Sequence, residues 1–436
     1  MTGTFTESDL ALLVELLAMP TVGPMEDPNG PPPRLRAAGR RYAQAAAGFG
    51  MRVHSHTAPD PAVLQRPDVP LTVRECAAER ADFLDCQPSL VLRWGPTVPV
   101  ERTIMFNVHL DTVAGVPEPR VEGGRVIGRG AIDAKGPAVA LLAGLRSALS
   151  DLDPAGSQFG VLVQAVAGEE GGAMGTFGTR PLLEAGLYGR INVFCEPTGG
   201  RLLTRSTAAM TARISVTGDD AIDDRPGTGH NASVLLGYLA HALAEAAPRW
   251  ADGGRVCVAG LHTGEVHNRV YGSGTLLLNI AYADTATGNR IRSALEQLLP
   301  GLLADFSARH ADSVLLGRTA ADAAAITHLT WLKSGLPALD SQDSHTLRIA
   351  AGAAEIPLVP ADEPGFTCDA IWLAEQPDVG AVIFGPGDLD ANNAHAAGEF
   401  AELADLDTYA GQIGGLVGRF AAAIATDPTL ERSYTR

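Results

Sequence analysis

Five short segments join a histidine or an acid to a strand end or a glycine-rich turn. The first is Asn107-Val108-His109-Leu110-Asp111-Thr112. On an extended chain His109 and Asp111 project to one side. A metal-binding histidine needs an oxygen on its other ring nitrogen to fix its orientation, and Asp111 is placed to supply one. The second segment, Gly128-Arg129-Gly130-Ala131-Ile132-Asp133-Ala134-Lys135-Gly136, sets Asp133 before an apolar helix, where it also suits a capping role. The third, Ala167-Gly168-Glu169-Glu170-Gly171-Gly172, puts two carboxylates side by side after an apolar run. Neighbouring carboxylates repel, and a cation relieves that repulsion. The fourth is Cys195-Glu196-Pro197-Thr198, and the fifth carries His395 in Asn393-Ala394-His395-Ala396-Ala397-Gly398-Glu399-Phe400. Taken singly, each fits an ordinary turn or cap. Taken together they hold His109, His395, Asp133, Glu170 and Glu196, with Glu169 to spare. Imidazole and carboxylate without thiolate suit one or two divalent ions such as zinc, manganese or cobalt.

These segments need a frame. Thr6 or Ser8 can cap a first helix with Leu10, Leu13, Leu16 and Leu17 on one face. Met19-Pro20 ends it, residues 22–34 form a loop, and residues 34–49 read as a second helix. Strands are expected at 89–95, 102–109, 159–167 and 191–195, with helices at 136–149 and 178–185. The almost wholly apolar run at 159–167 suits a strand covered on both faces. The alternation predicts an α/β fold: a mixed central sheet with helices on both faces. Binding sites in such sheets lie beyond the carboxyl ends of the strands, where the five segments fall.

The pattern changes after residue 206. A strand at 211–216, a helix at 230–248, strands near 255–263 and 273–283, a helix at 289–310 and a strand at 326–332 give the order β-α-β-β-α-β. That is a split, ferredoxin-like α+β arrangement. The α/β pattern then resumes with helices near 341–352 and 369–376, a strand at 380–384 and a helix at 405–426. The expected organisation is a metal-binding domain over 1–206 and 334–436, with an inserted domain over 207–333.

Composition excludes other classes. The 436 residues carry 33 Lys+Arg against 50 Asp+Glu, a net charge of −17. So acidic a surface repels nucleic-acid backbones and anionic lipid. Five widely spaced cysteines form no C-x-x-C pair, so neither a disulfide framework nor a thiolate zinc ribbon is expected. No apolar run is long enough to span a membrane. The polar, acidic start of the chain lacks a secretory pattern, and a cytoplasmic location is expected.

The order and wording of the five segments resemble the metal-dependent amidohydrolase and exopeptidase family of acetylornithine deacetylase, succinyl-diaminopimelate desuccinylase, aminoacylase and glutamate carboxypeptidase. The resemblance extends from Met19-Pro20-Thr21 to the His395 segment and includes the inserted domain. It implies two divalent ions, most often zinc. His109 and Glu196 would bind one, Glu170 and His395 the other, and Asp133 would bridge them. Asp111 would orient His109 and Glu169 would act as general base. A glutamate at the place of Glu196 goes with deacylases and carboxypeptidases in this family. The implied substrate is a small N-acyl amino acid or dipeptide, and the implied assembly a homodimer through an inserted lid and dimerisation domain.

The resemblance also has gaps. The family phrase Gly-x-x-Ala-His reads Gly218-Asp219-Asp220-Ala221-Ile222, so the histidine that stabilises the oxyanion is an isoleucine. His230 is a candidate replacement, and Asn268, with Arg269, a candidate for a substrate carboxylate. The family's Pro, Asp and Arg beyond Asn268 are Tyr271, Asn279 and Ala281, and its Gly-Gly-Thr-Ser-Asp-Ala turn is Gly365-Phe366-Thr367-Cys368-Asp369-Ala370. These departures raise a second reading, in which the same dimetal scaffold serves a lyase, isomerase or condensation. His54 and His56 read as alternating residues on an edge strand, and Ser341–His345 as a helix start.

Overall fold

The computed structural model of the chain describes residues 3–66, 68–115, 118–341, 343–352, 355–376 and 378–426. They form two compact units. One takes in the described residues up to Val69, Val73–Ser206 and those from Leu339 onward; the other takes in Pro70–Thr72 and Thr207–Ala338.

The first unit is built on a six-stranded sheet. Its order is Arg52–Thr57, Ser89–Trp94, Gly160–Val166, Thr103–His109, Ile191–Phe194 and Gly380–Ile383. The first two strands run antiparallel to their neighbours and the last four are mutually parallel. Every residue of those four is buried, which is why they read as mostly apolar runs rather than alternating ones. His54 and His56 lie on the outermost antiparallel strand.

Helices supply the cover. In Glu7–Leu17, Thr6 and Asp9 form a reciprocal capping box, and Leu12, Leu13, Leu16 and Leu17 are buried. Lys135–Leu149 is buried on almost every side because it lies between sheet and C-terminal helix Leu403–Thr426. The two helices approach so closely at Gly144 that a Cβ there would collide with the Ala410 carbonyl oxygen. A small ladder pairs Phe400–Glu402 with Arg125–Ile127, which pairs in turn with Arg120–Glu122 through a Gly123-Gly124 turn. Both turn glycines have positive φ, 59° and 83°, as a tight hairpin requires.

The second unit holds a four-stranded antiparallel sheet in the order Gly254–His262, Ser273–Tyr282, Ala208–Thr217, Thr327–Lys333. With helices Ala232–Trp250 and Thr285–His310 this is the ferredoxin-like order expected for a split βαβ pair. Two helices are not announced by periodicity: Leu71–Glu79, with one buried residue, and the alanine-rich Gly317–Ile326. Residues 369–376, expected as an α-helix, contain the 3-10 turn Asp369–Leu373. Among the described residues no helix is long and apolar enough to cross a membrane.

Candidate metal centre

The parallel strands set the site. His109 is the last residue of Thr103–His109, and Val166 opposite it ends the neighbouring strand. Glu169 and Glu170 follow that strand; Glu196 follows Ile191–Phe194; His395 lies in the loop beyond Gly380–Ile383. Parallel strands deliver their carboxyl ends to one edge, so segments almost three hundred residues apart converge there. Asp133 joins them from the turn before Lys135–Leu149. Backbone geometry helps: Gly168 and Gly171, flanking the two glutamates, have φ of 78° and 67°. His395 itself is held at φ 62°, a left-handed conformation that costs a non-glycine residue about 1–3 kcal/mol and is typical of functional loops.

The central feature is Asp133. Its Oδ1 lies 2.8 Å from His109 Nε2 and its Oδ2 lies 2.9 Å from His395 Nε2. Glu170 Oε1 is 3.2 Å from His395 Nε2, and Glu196 Oε2 is 3.8 Å from His109 Nε2. Donor atoms of His109, Asp133 and Glu170 all fall within 4.8 Å of one another. Each side of the carboxylate thus has one imidazole and one further carboxylate. Glu169 stands beside them, half-buried.

His109 is oriented differently from the expectation. Its Nδ1 lies 2.9 Å from the backbone carbonyl of Asp111, while the Asp111 carboxylate is 3.8 Å away. That carboxylate instead accepts the Glu170 backbone N–H at 3.1 Å. Asp111 therefore touches both a histidine and the turn that carries the paired glutamates.

Charge is unbalanced here. Asp111, Asp133, Glu169, Glu170, Glu196 and Asp369 crowd around two imidazoles. Burial drives the Glu169 and Glu196 carboxyls well above the usual range and Glu170 up to about 7. Asp133 goes the other way, because its two histidines outweigh burial. His395 is pushed up to about 10 by Asp133 and Glu170. His109 is raised too, since Glu196 and Asp133 overcome the burial that opposes its charge. Buried acid in such excess is costly unless cations offset it, and the oxygen-and-imidazole donors suit hard or borderline divalent ions.

Two supports were not legible in the sequence. Lys135 is buried, with its Nζ donating to the carbonyls of Leu16 and Met19 at 3.0 and 3.0 Å; burial lowers it to about 7. It ties the Asp133 turn to the end of the first helix. Asp369, read from sequence as part of a substrate-side turn, is fully buried. It accepts from the Thr179 hydroxyl, which itself accepts from Asn107 Nδ2 at 3.0 Å; Asn107 also donates to Gln164 Oε1 at 2.9 Å. Polar Asn107 and Gln164 inside apolar strands were the available signal.

The two proposed substrate residues lie in the other unit. His230 is buried, not presented to solvent: its Nδ1 accepts the Asp219 N–H at 2.8 Å and its Nε2 is 3.0 Å from Asp322 Oδ2. Both ring nitrogens are thus engaged locally. Asn268 is exposed on the loop before Arg269–Val270. Ile222, at the place of the family histidine, is 57% exposed.

Comparison with known proteins decides the family. The profile of peptidase family M20/M25/M40 matches residues 105–417, more than half of the chain and all five segments. The chain belongs to peptidase family M20/M25/M40. A protein of Aeropyrum pernix provisionally named a LysW-lysine/LysW-ornithine hydrolase is 35% identical over 162 residues, 37% of this chain and 43% of that protein. The LysW-lysine/LysW-ornithine hydrolase of Sulfurisphaera tokodaii is 37% identical over 95 residues, 22% of this chain and 25% of its own length. The aligned stretches thus span less than half of either relative. In fold, the chain is similar to the M20 family metallo-carboxypeptidase Sso-CP2 of Sulfolobus solfataricus, with a TM-score of 0.66 at 12% identity over 96% of this chain and 100% of that one. Aminopeptidase PepT of Bacillus cereus gives a TM-score of 0.64 at 14% identity over 95% and 98%.

Proposed function

We propose that this M20 enzyme hydrolyses an amide bond in a small N-acyl amino acid or dipeptide, as a deacylase or carboxypeptidase. The observation that carries the reading is the two-sided engagement of Asp133, whose oxygens each meet a different histidine at 2.8 and 2.9 Å. That is the arrangement of a carboxylate that bridges two cations. His109 and Glu196 would hold one ion, Glu170 and His395 the other. Zinc is the first candidate, with manganese or cobalt as alternatives. When bound, such a pair polarises a carbonyl and acidifies water.

The chain's own residues do the rest. Asp111 keeps His109 in one tautomer through its backbone carbonyl and steadies the glutamate turn through its carboxylate. Glu169 takes the proton of the attacking water and delivers it to the leaving amine nitrogen, so its carboxyl is regenerated in each cycle. The relatives named as LysW-lysine and LysW-ornithine hydrolases support a conjugated amino acid as the substrate class. Ile222 leaves that position without a polar group, so oxyanion stabilisation falls to other donors.

We also propose a homodimer through the second unit. The strand Gly254–His262 has one ladder neighbour and is mostly exposed, so a second copy can extend the sheet.

The test is metal analysis of the purified protein, followed by a mass-spectrometric screen of acyl-amino-acid and dipeptide pools. Two divalent ions per chain and release of a free amino acid are expected. Absence of metal refutes the centre. Two ions without cleavage of any amide refutes hydrolysis and favours the lyase, isomerase or condensation reading.

A further inference from the structure

We infer that the buried ion pair Arg129–Glu399 is a positioning clamp that fixes Asp133 and the His395 loop relative to each other, and so sets metal affinity. Neither residue is among the groups placed at the centre above, and the clamp matters only if cations bind at Asp133 as proposed.

The geometry is specific. Glu399 is 1% exposed and Arg129 is 7% exposed. Glu399 Oε1 accepts two consecutive backbone N–H groups, those of Ile132 at 3.0 Å and Asp133 at 3.1 Å. Its Oε2 accepts from Arg129 Nη1 at 2.6 Å. Two further donors of the guanidinium reach two loops: Nε the Gly115 carbonyl at 3.1 Å and Nη2 the Ala396 carbonyl at 3.2 Å. The Gly128 N–H donates to the Glu399 carbonyl at 2.9 Å, continuing the ladder between Arg125–Ile127 and Phe400–Glu402.

The physical consequence follows from where these bonds fall. Holding the Asp133 N–H fixes the direction in which that residue projects its side chain. Holding the Ala396 carbonyl fixes the Ala396–Ala397 peptide, one residue beyond His395 in the same loop. One fork therefore sets both partners of the 2.9 Å Asp133–His395 contact from behind, without touching either side chain. A planar guanidinium with several donors in fixed directions is suited to this, whereas an ammonium is not. The pair is also neutral as a whole, so it steadies a crowded acidic site without adding net charge. Groups that orient ligands from behind commonly change metal affinity by about 10–100-fold when removed.

Glu399→Gln is the informative change. The amide oxygen can still accept from Ile132 and Asp133, but the amide nitrogen then faces Arg129 Nη1, donor against donor. Arg129→Lys keeps the charge and removes the fork. Glu402→Gln, which breaks the half-exposed Arg125–Glu402 pair on the same ladder, serves as the control. The full chain, stripped with a chelator, is titrated with cobalt(II) and followed by visible absorption. Wild type and Glu402→Gln are expected to bind alike. Glu399→Gln and Arg129→Lys are expected to bind at least about 10-fold more weakly, with a shifted ligand-field spectrum that loss of stability alone does not produce. Wild-type affinity and spectrum in Glu399→Gln overturn the clamp; if that variant does not fold, the same result in Arg129→Lys does so. Failure of wild type to bind cobalt instead overturns the metal centre itself.

Discussion

Replacing Glu169 with glutamine separates proton transfer from metal binding. The two side chains have nearly the same shape, and glutamine removes one acid from a site already crowded with buried carboxyls, so the fold has little to lose. The close contacts at Asp133 run to His109 and His395, and neither involves Glu169. The substitution removes one of the carboxylates that raise His109, and leaves His109, Asp133, Glu170, Glu196 and His395 in place. What disappears is a base able to take a proton from water and return it to nitrogen. General acid–base catalysis contributes about 10²–10⁴-fold, or about 2.7–5.4 kcal/mol of barrier at 1.36 kcal/mol per tenfold. The assay pairs elemental analysis of Glu169→Gln with its kcat on an N-acyl amino acid cleaved by wild type. Full metal content with kcat lowered by at least about a hundredfold is expected. A kcat near wild type refutes the role given to Glu169. Loss of metal together with activity shows that it holds the ions rather than the proton.

Three further outcomes are expected. Asp133→Asn takes away one oxygen and the charge between His109 and His395, so the purified variant should carry much less metal than wild type; full occupancy refutes the bridging role. Phe106→Ala opens a cavity in the middle of a sheet strand whose Phe106 is 0% exposed, and urea unfolding should show a loss of about 3–5 kcal/mol; a loss below 1 kcal/mol, on the order of a surface change, contradicts that packing. Acid stability provides the last test. Asp343 is held down to about 2 from its usual 3.8, since Arg190 and the Thr346 N–H outweigh partial burial. A depressed acid stabilises the fold above its unfolded pKa and loses that contribution as pH falls through the folded value. Asp343→Asn should therefore be less stable than wild type at neutral pH, and the gap should close between about pH 4 and about 2. A gap that persists below that window rules out the ionised pair as its source.

The legibility of the chain is uneven for physical reasons. Buried parallel strands announce themselves because both faces need apolar side chains, so Thr103–His109 and Gly160–Val166 stand out. The helix Leu71–Glu79 does not, because it buries little beyond Val73. Gly317–Ile326 hides because alanine is compatible with every pattern and the exposed Val314 and Leu315 before it blur its start. At the site, residue types and order were visible, yet His230 shows the limit of that. A histidine in a suggestive phrase turns out to be held by Asp219 and Asp322.

Local sequence alone dictated which atoms are on offer: two imidazoles, a surplus of acid, no thiolate, and strands ending where those groups begin. It did so because donor chemistry and strand patterning are properties of neighbouring residues. Only the folded chain decided which oxygen of Asp133 meets which histidine, that a carbonyl rather than a carboxylate orients His109, and that Arg129 reaches Glu399 across 270 positions. Those are matters of register and backbone direction, set when distant strands pair and their loops pack, and no short stretch of residues encodes them.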